Sequence, residues 1–469
     1  MPEETVSSPS PNPDPRSQLA AVSVLLEQSE IVALIRRYSR AQALDAIREA
    51  QDSLRREIAT GASAPTLDQQ VARVCETLER TERDRLRPVV NASGIVLNTN
   101  LGRAVLPQAA VDALAHMNRC CNLQVDIESG KRGKRNARTE QLLCRLTGAE
   151  AACLVVNNAA ATLLILSVFA QGREVIVSRG QLIEIGGAFR LPDCIHQSGA
   201  TMVEVGTTNK THLRDYEQAV TDNTAVVLRC NPSNYRVVGF TKTVPIGELV
   251  AVKKKRPDLL VVDDLGCGAL VDLSLYGLPK EPTVQESVRA GADLVCFSGD
   301  KLISGPQAGI IIGRKDLIAR LKKHPLMRML RVGKLTDLVL EQTLRLFLDP
   351  ETLTETNPTL RMLALTPEVL KRKAQGLKRR IDKLGTPLKC EVVACESATG
   401  GGSLPDTPLD SWAVAIESPD RSLEDLNRAL RLNEPPIIAR IGEGRVLLDL
   451  RTFLDGDEEA VAQAIRRMF

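Results

Sequence analysis

The segment DLVCFSGDKLISGPQAGIIIG, Asp293 to Gly313, guides the interpretation of the whole chain. Two apolar runs, Leu294 to Phe297 and Ile310 to Ile312, have the length and β-branched content of buried strands, and a turn rich in Gly, Ser and Pro joins them. Lys301 lies in that turn, directly after the first run. Burial at a strand end disfavours the ammonium form, and a neutral amine can attack a carbonyl group to form a Schiff base. The segment alone is equally consistent with an exposed lysine in a β-turn.

The composition is typical of a globular protein with several domains. The chain has 469 residues, of which 43% are hydrophobic and 25% charged. No apolar run approaches the roughly 20 residues of a membrane span. Residues 1–18 are rich in Ser and Pro, so we expect a disordered leader rather than a signal peptide, and a cytoplasmic protein. Eleven cysteines without CxxC spacing and four scattered histidines predict reduced thiols and no metal site. A net charge of +3 is weak evidence for a nucleic-acid partner.

Residues 19–88 predict a small helical domain. Apolar residues recur at helical spacing between Ala41 and Ile58, and a second helix is expected to start at Thr66, where Gln69 completes a capping-box pattern. Five arginines fall in this region, and they form either a phosphate-contacting face or simply the solvated side of a helical bundle: Arg36, Arg37, Arg40, Arg55 and Arg56.

The remaining residues predict two α/β domains. Strand candidates alternate with helical patterns over residues 89–347, which indicates a mostly parallel sheet. Its predicted strands are Ala152 to Val156, Glu174 to Ser178, Thr201 to Val205, Ala225 to Leu228, Leu259 to Val262 and the two beside Lys301. Residues 348–469 predict a smaller domain with strands at Lys389 to Ala394, Trp412 to Ile416, Ile437 to Ile441 and Arg445 to Leu448, and helices at Ser422 to Leu430 and Glu458 to Phe469.

Polar residues follow several of the predicted strands, at the sheet edge where open α/β sheets bind ligands. Asn158, Ala159 and Ala160 open a helix whose N–H groups suit a phosphate, although small residues there also serve plain packing. Asp263 and Asp264 end the strand before them, and a buried carboxylate there needs a partner such as a protonated pyridine nitrogen; an N-cap or a solvated acid is the alternative.

Together with Lys301, these residues follow the order used by pyridoxal-phosphate enzymes of the aminotransferase fold type. Ser298, three residues before Lys301, adds a hydroxyl group for the phosphate. The joint occurrence of the three features is far less expected by chance than any one of them.

Eight segments resemble the bacterial selenocysteine synthases, the L-seryl-tRNA(Sec) selenium transferases. They are NASGIVLNTNLGRA from Asn91, EIGGAFR from Glu184, SNYRVVGFTK from Ser233, DLGCGALVDLS from Asp264, FSGDKLISGPQAGIIIG from Phe297, HPLMRMLRVGKLT from His324, GGGSLP from Gly400 and LLDLRT from Leu447. The similarity extends over nearly the whole chain.

The resemblance implies a PLP-dependent transferase fold, similar to aspartate aminotransferase, with pyridoxal 5′-phosphate bound covalently to Lys301. It implies that Asp264 is the pyridine partner, while Asp300 is expected to tune proton transfer. Seryl-tRNA(Sec) would lose its hydroxyl group by β-elimination to an aminoacrylyl intermediate, to which selenium from selenophosphate adds. The N-terminal helical domain would then bind tRNA, and the protein would form a homo-oligomer, a ring built from dimers and expected to be a decamer.

Three arginines match the positions that the resemblance assigns to the selenium donor: Arg103, Arg328 and Arg331. A guanidinium pair at helical spacing suits a phosphate-like oxyanion, although an ordinary basic helix face paired with acids is the alternative. Arg103 is also compatible with a place in a partner subunit's site.

The chain departs from the family pattern near the expected site. Asn231 and Pro232 stand where many members carry His and Thr, Cys267 replaces a Ser, and Gly333 replaces an Asp. Two other functions compete with the leading one: a pyridoxal-phosphate lyase acting on a free small amino sugar or amino acid, and a tRNA-binding protein with a vestigial core. The helical domain before Pro88 argues against the lyase, and the intact Lys301 and Asp264 argue against the vestigial core.

Overall fold

The chain forms two compact units, Met1–Pro88 and Val89–Phe469. This computed structural model describes residues 19–83, 85–187, 189–254 and 256–469. The predicted leader, residues 1–18, therefore lies outside the described residues. No helix in the described ranges is both long enough and apolar enough to cross a membrane.

The first unit is helical. Its helices are α1 Val22–Leu26, α2 Ser29–Arg37, α3 Arg40–Ala59 and α4 Leu67–Arg83. The capping box predicted at Thr66 is confirmed, because the Thr66 N–H donates to Gln69 Oε1 (2.9 Å) and the Gln69 N–H donates to Thr66 Oγ1 (3.3 Å). Ile31, Ile47 and Val74 bury the apolar faces of these helices in a core of their own.

The second unit contains two main sheets with helices packed around them. Its strands are β1 Val90–Asn91, β2 Ile95–Leu97, β3 Ala151–Val155, β4 Glu174–Ser178, β5 Glu184–Ile185, β6 Phe189–Arg190, β7 Thr201–Val205, β8 Thr224–Cys230, β9 Leu260–Gly266, β10 Leu294–Ser298, β11 Gly309–Gly313, β12 Lys389–Gly400, β13 Pro408–Glu417, β14 Ile437–Ile438, β15 Arg440–Gly442 and β16 Arg445–Asp449. Its helices are α5 Gln108–Ala115, α6 Ala137–Thr147, α7 Asn158–Phe169, α8 Leu191–Gln197, α9 Leu213–Ala219, α10 Ile246–Leu249, α11 Val284–Arg289, α12 Lys315–Lys323, α13 Pro325–Met329, α14 Lys334–Leu346, α15 Leu353–Thr356, α16 Pro358–Ala364, α17 Pro367–Asp382, α18 Leu423–Arg431 and α19 Asp457–Met468.

The larger sheet has the strand order β3-β11-β10-β9-β8-β4-β7. All neighbours are parallel except at β11, which runs antiparallel to both β10 and β3. Alternate residues of β10 enter two different cores: Val295 and Phe297 pack on one face, and Leu294 and Cys296 on the other. The mostly parallel sheet predicted from the sequence is therefore confirmed, and it brings the carboxyl ends of β3, β8, β9 and β10 to one edge.

The strand β9 is longer than predicted. We expected Asp263 and Asp264 to follow it, but it continues through both residues to Gly266, pairing with β8 and β10. Each carboxylate is satisfied on its own face of the sheet, since Asp263 accepts from Arg229 Nη1 (2.7 Å) and Ser287 Oγ (2.6 Å). Asp264 consequently points to the opposite face, toward α7.

The smaller sheet has the order β15-β16-β13-β12-β2. The single strand predicted from Ile437 to Ile441 is in fact two strands: β14 pairs with β1, and β15 pairs with β16. The early strand β2 pairs with β12 of this sheet, with Ile95 opposite Ala398. The smaller sheet therefore contains one strand from before residue 347, where the sequence predicts a domain boundary, and that boundary stays a prediction.

Candidate active site

Lys301 lies in the turn between β10 and β11, and only 8% of its surface is exposed. The turn is held by its own backbone, because the Ser304 N–H donates to the Lys301 carbonyl (3.0 Å) and the Gly305 N–H to the Gly299 carbonyl (2.9 Å). Burial lowers the pKa of the Lys301 amine, and the nearby Arg103 lowers it further. The neutral, nucleophilic form of the amine is thus easier to reach in Lys301 than in an exposed lysine, as inferred from the sequence.

A glycine loop after β12 covers Lys301. A Cβ atom at Gly402 would lie 2.5 Å from both Cε and Nζ of Lys301, and Gly402 has a φ of +94°. Only glycine meets both constraints, because any side chain would collide with the lysine and strain the backbone. The GGGSLP segment therefore forms one wall of the lysine's surroundings.

Asp264 is a buried carboxylate with three neutral donors. It accepts from Asn158 Nδ2 (2.7 Å), Thr162 Oγ1 (2.8 Å) and the Gly266 N–H (3.1 Å). Burial raises the pKa of Asp264, while these hydrogen bonds and the charge of Lys301 oppose the rise. The sequence did not lead us to predict Thr162. It lies four residues after Asn158 and therefore on the same face of α7, a spacing that is visible in the sequence.

The start of α7 differs from the predicted phosphate cradle in one residue. Asn157 is the N-cap, and its Oδ1 accepts from the Ala160 N–H (2.9 Å), so that donor is already engaged. Asn158 and Ala159 line the cavity above Lys301, as does Ser298 at the end of β10. The N–H group of Ala160 is therefore not free for the phosphate contact that the sequence predicted for it.

Arg103 and Asp300 form an ion pair beside Lys301. Arg103 Nη1 lies 2.6 Å from Asp300 Oδ2, and both residues line the Lys301 cavity. Arg103 adopts a left-handed backbone with a φ of 65°, and its ion pair with Asp300 is made within one chain.

Arg328 and Arg331 lie elsewhere, beside the end of β3. The Leu330 carbonyl accepts from the Val156 N–H (2.9 Å), so their segment flanks the residue that precedes Asn157. The charges of Arg135 and then Arg328 lower the pKa of Arg331, which shows that three guanidinium groups lie near one another. Neither Arg328 nor Arg331 lines the Lys301 cavity, and the described residues include no salt bridge to either.

The five arginines of the first unit are exposed but do not form a single patch. Arg36 and Arg37 end α2 and Arg40 begins α3, whereas Arg55 and Arg56 lie near the end of α3. At 1.5 Å per residue, Arg40 and Arg55 are about 22 Å apart along the helix. Arg55 is also paired with Asp52 at 2.6 Å.

Two of the departures from the family pattern meet at one buried carboxylate that sequence reasoning missed. Glu281 accepts from Cys267 Sγ (3.8 Å) and from the Asn231 side chain, and it also accepts from the Leu404 N–H (2.9 Å) in the glycine loop. Burial raises the pKa of Glu281 and raises that of Cys267 to about 12. Gly333 is the N-cap residue of α14, and a Cβ atom added at this position would have no neighbour within 4 Å. Nothing in the structure explains that departure.

These residues fit pyridoxal phosphate. The cavity has a volume of about 270 Å³ and contains a buried lysine amine, a buried carboxylate and the start of a helix. Asp264 has only neutral hydrogen-bond donors, so a cationic ring nitrogen would complete its surroundings. The buried Oδ1 of Asn158 has no partner among the described residues. No cluster of metal-ligating side chains occurs in those residues either.

Comparison with known proteins agrees with this geometry. The family model described as L-seryl-tRNA selenium transferase matches residues 89–454, and that described as selenocysteine synthase N terminal matches residues 16–55. The L-seryl-tRNA(Sec) selenium transferase of Moorella thermoacetica is 46% identical over 452 residues, 96% of each chain. That of Geobacter sulfurreducens is 46% identical over 460 residues, 96% of this chain and 99% of the relative.

A solved structure supports the predicted fold. The structure of D-glucosaminate-6-phosphate ammonia-lyase has a TM-score of 0.56 and 22% identity, over 83% of this chain and 97% of that one. This likeness concerns the fold alone. With the α/β architecture of the second unit, the family match confirms the PLP-dependent transferase fold. The match over nearly the whole length shows that the chain belongs to the L-seryl-tRNA(Sec) selenium transferase family.

Proposed function

We propose that this protein converts seryl-tRNA(Sec) to selenocysteyl-tRNA(Sec), with pyridoxal phosphate as cofactor and selenophosphate as selenium donor. The observation that carries the proposal is the family match, which covers both the helical unit and the unit that contains Lys301. Pyridoxal phosphate, when bound, supplies an electron sink for removal of the seryl α-proton and loss of the β-hydroxyl group.

The side chains around Lys301 divide the work of this reaction. Lys301 Nζ, with its lowered pKa, removes the α-proton, because the neutral amine is a base positioned in a buried site. Asp264, held by Asn158 and Thr162, would pair with the protonated ring nitrogen of the bound cofactor. Asp300, paired with Arg103, sets the electrostatic surroundings of the Lys301 proton. The loop at Gly402 limits the access of water to Nζ.

Arg328 and Arg331 are proposed to bind the selenium donor, together with Arg103. Arg328 and Arg331 are close to each other and have no carboxylate partner among the described residues, which suits an oxyanion, whereas Arg103 is paired with Asp300. Arg103 lies beside Lys301, and the other two arginines lie beside the end of β3.

Replacing both Arg328 and Arg331 with alanine should lower selenium incorporation at least about tenfold while loss of the seryl hydroxyl continues, since charge-assisted hydrogen bonds are the strong ones. Equal losses in both steps would contradict this role.

The surrounding organisation is also proposed. Residues 19–88 bind tRNA through the arginines of α2 and α3, and the protein works in the cytoplasm as a homo-oligomer, a ring of dimers with ten subunits. No membrane or DNA takes part. A native mass of about ten chains would agree with the ring, and a monomer would contradict it.

The direct test of the function compares two substrates. Purified protein carrying pyridoxal phosphate should convert seryl-tRNA(Sec) with selenophosphate to the selenocysteyl product, and it should leave seryl-tRNA(Ser) unchanged. The two RNAs carry the same amino acid, so a difference between them reports recognition of the tRNA. Turnover of a free amino sugar or amino acid with no action on seryl-tRNA(Sec) would instead support the lyase alternative.

Glu281 should act as a positioning residue for the loop over Lys301. Glu281→Ala leaves the buried Leu404 N–H without its acceptor, a loss that should raise hydrogen exchange in residues 400–407 and lower turnover about tenfold to a hundredfold. Glu281→Gln keeps an acceptor oxygen at the same place and should stay within about threefold of the natural protein. If turnover by the glutamine variant is as low as turnover by the alanine variant, the activity depends on the carboxylate charge and not on the hydrogen bond to the loop.

A further inference from the structure

A second cavity lies beside the Lys301 cavity at the same edge of the larger sheet. Its volume is about 370 Å³, and its walls come from the segments after β4, β7 and β8, from residues 279–282 and from the loop at Leu404. Asn231 lines both cavities, so they share a wall. None of the roles assigned above uses this second space, although it lies where open α/β sheets bind ligands.

The inner wall of this cavity offers one uncommitted side-chain donor, the amide group of Gln181. Gln181 is 4% exposed and uses its side-chain oxygen to accept from the Cys230 N–H (3.1 Å). The NH2 group of the same amide has no partner among residues 19–83, 85–187, 189–254 and 256–469. This NH2 group is not among the buried unsatisfied side-chain atoms, so it is an accessible donor that a ligand in the cavity can use.

The cavity also presents a fixed aromatic ring. The Tyr235 hydroxyl donates to the Gly180 carbonyl (2.5 Å), which holds the half-buried ring in place. A held tyrosine ring at the side of a cavity is a surface on which a nucleobase can stack.

The outer part of the cavity is basic. Arg236 and Lys242 are exposed and line it, and neither forms a salt bridge within the described part of the chain. Lys210, whose backbone pairs with that of Lys242, does not line the cavity, and its ammonium group lies 5.7 Å from the ring centre of Phe240. The one carboxylate of the lining, Glu281, is buried and already accepts from Leu404 and Cys267. The net positive charge at the rim of the cavity therefore favours binding of phosphate groups.

We propose that this second cavity binds the 3′-terminal nucleotide of the seryl-tRNA, with its base against Tyr235 and Gln181 and its phosphate at Arg236 and Lys242. The inference rests on the proposed function, since it assigns a place to part of that substrate. The seryl group is esterified to the ribose of the terminal adenosine, so this nucleotide has to lie directly beside the Lys301 cavity while the seryl group reacts. The second cavity, on the other side of Asn231, provides a place for it.

The test is a double-mutant cycle between protein and RNA. Affinities are measured for tRNA(Sec) with its complete 3′ end and for the same RNA lacking the terminal adenosine. One base stacked on an aromatic side chain is worth about tenfold in affinity, so the natural protein should lose about tenfold when the adenosine is removed. Tyr235→Ala, which removes the stacking ring, and separately Thr241→Trp, which fills the cavity, should reduce that loss to less than about twofold. Arg236→Ala combined with Lys242→Ala removes the phosphate contacts of the same nucleotide and should also reduce the loss.

A matched control separates local from general charge effects. Lys383→Ala with Lys389→Ala also removes two exposed positive charges, but at the smaller sheet, and it should keep the tenfold difference between the two RNAs. Retained absorbance of bound pyridoxal phosphate shows that each variant is folded. Cavity variants that keep the tenfold difference, or a natural protein indifferent to the adenosine, would overturn the assignment.

The same measurements distinguish this inference from the proposed function. A protein that converts seryl-tRNA(Sec) but shows no coupling between cavity and adenosine would leave the function standing and remove only the second cavity's role. A protein without affinity for tRNA(Sec) would remove both. Adenosine 5′-monophosphate that binds tightly at the cavity, without any coupling to the RNA end, would identify a site for free nucleotides and contradict the assignment.

Discussion

Replacing Lys301 with alanine should lower selenocysteyl-tRNA formation at least about a thousandfold, because one residue provides both the covalent attachment and the base. Among the described residues, no second lysine lines the cavity: Arg103 does, but it is committed to Asp300, and a guanidinium group does not form a Schiff base at neutral pH. The visible absorbance of bound pyridoxal phosphate should disappear together with turnover. Both measurements use the full-length protein.

Two controls accompany the Lys301 variant. Lys301→Arg keeps a positive charge but should be equally inactive, which separates chemistry from electrostatics. Lys315→Ala removes an exposed lysine at the start of α12 and should leave absorbance and turnover unchanged. A Lys301→Ala protein that retained the cofactor band and its activity would reject the assignment of the site.

Removal of residues 1–88 should lower the affinity for tRNA(Sec) about a hundredfold or more, while pyridoxal phosphate remains bound. The first unit has its own core, and the core clusters of the second unit contain only residues from Val90 onward, so the cofactor site keeps its complete set of packing partners. Loss of phosphate contacts from exposed arginines also removes a salt-dependent part of the affinity. Binding is measured at several salt concentrations.

The separation within α3 gives this experiment an internal comparison. Arg36, Arg37 and Arg40 form one group and Arg55 and Arg56 another, about 22 Å away along the helix. Alanine variants of a group that contacts phosphates should reduce the salt slope by about one for each lost contact. We expect the first group to have the larger effect, because Arg55 is already paired with Asp52. Affinity that survives the deletion would place the RNA site on the second unit.

Much of the central fold was predictable from local pattern. The strands β4 and β7 have the predicted bounds, and β3 is shifted by one residue, because short apolar runs between polar turns leave little choice of register. The error at β9 has a physical cause as well. Two acids in sequence indicate a strand end, but here each carboxylate finds donors on its own face, so the backbone ladder continues past them.

The candidate site was predictable only in part. Lys301, Asp264 and Ser298 lie at strand ends or inside strands that pattern can locate, and the order of such residues along the chain is informative. Glu281 and Gly402 are distant in sequence from Lys301 and from each other, and no local pattern connects them. The second cavity depends on five separate segments meeting at one edge of the sheet.

Local sequence pattern was enough to predict most strands of the larger sheet, the capping box at Thr66, Lys301 as a candidate Schiff-base lysine and the family resemblance, because these depend on residue type and spacing along the chain. The tertiary structure shows why the two adjacent acids differ: Asp263 pairs with Arg229 on one face of β9, and Asp264 accepts from Thr162 on the other. It also showed that the segment Asp293–Gly313, with Lys301 in its turn, is covered by a glycine loop held by Glu281. Those features arise from contacts between residues far apart in sequence, whose distances are set by the packing of the sheets and helices.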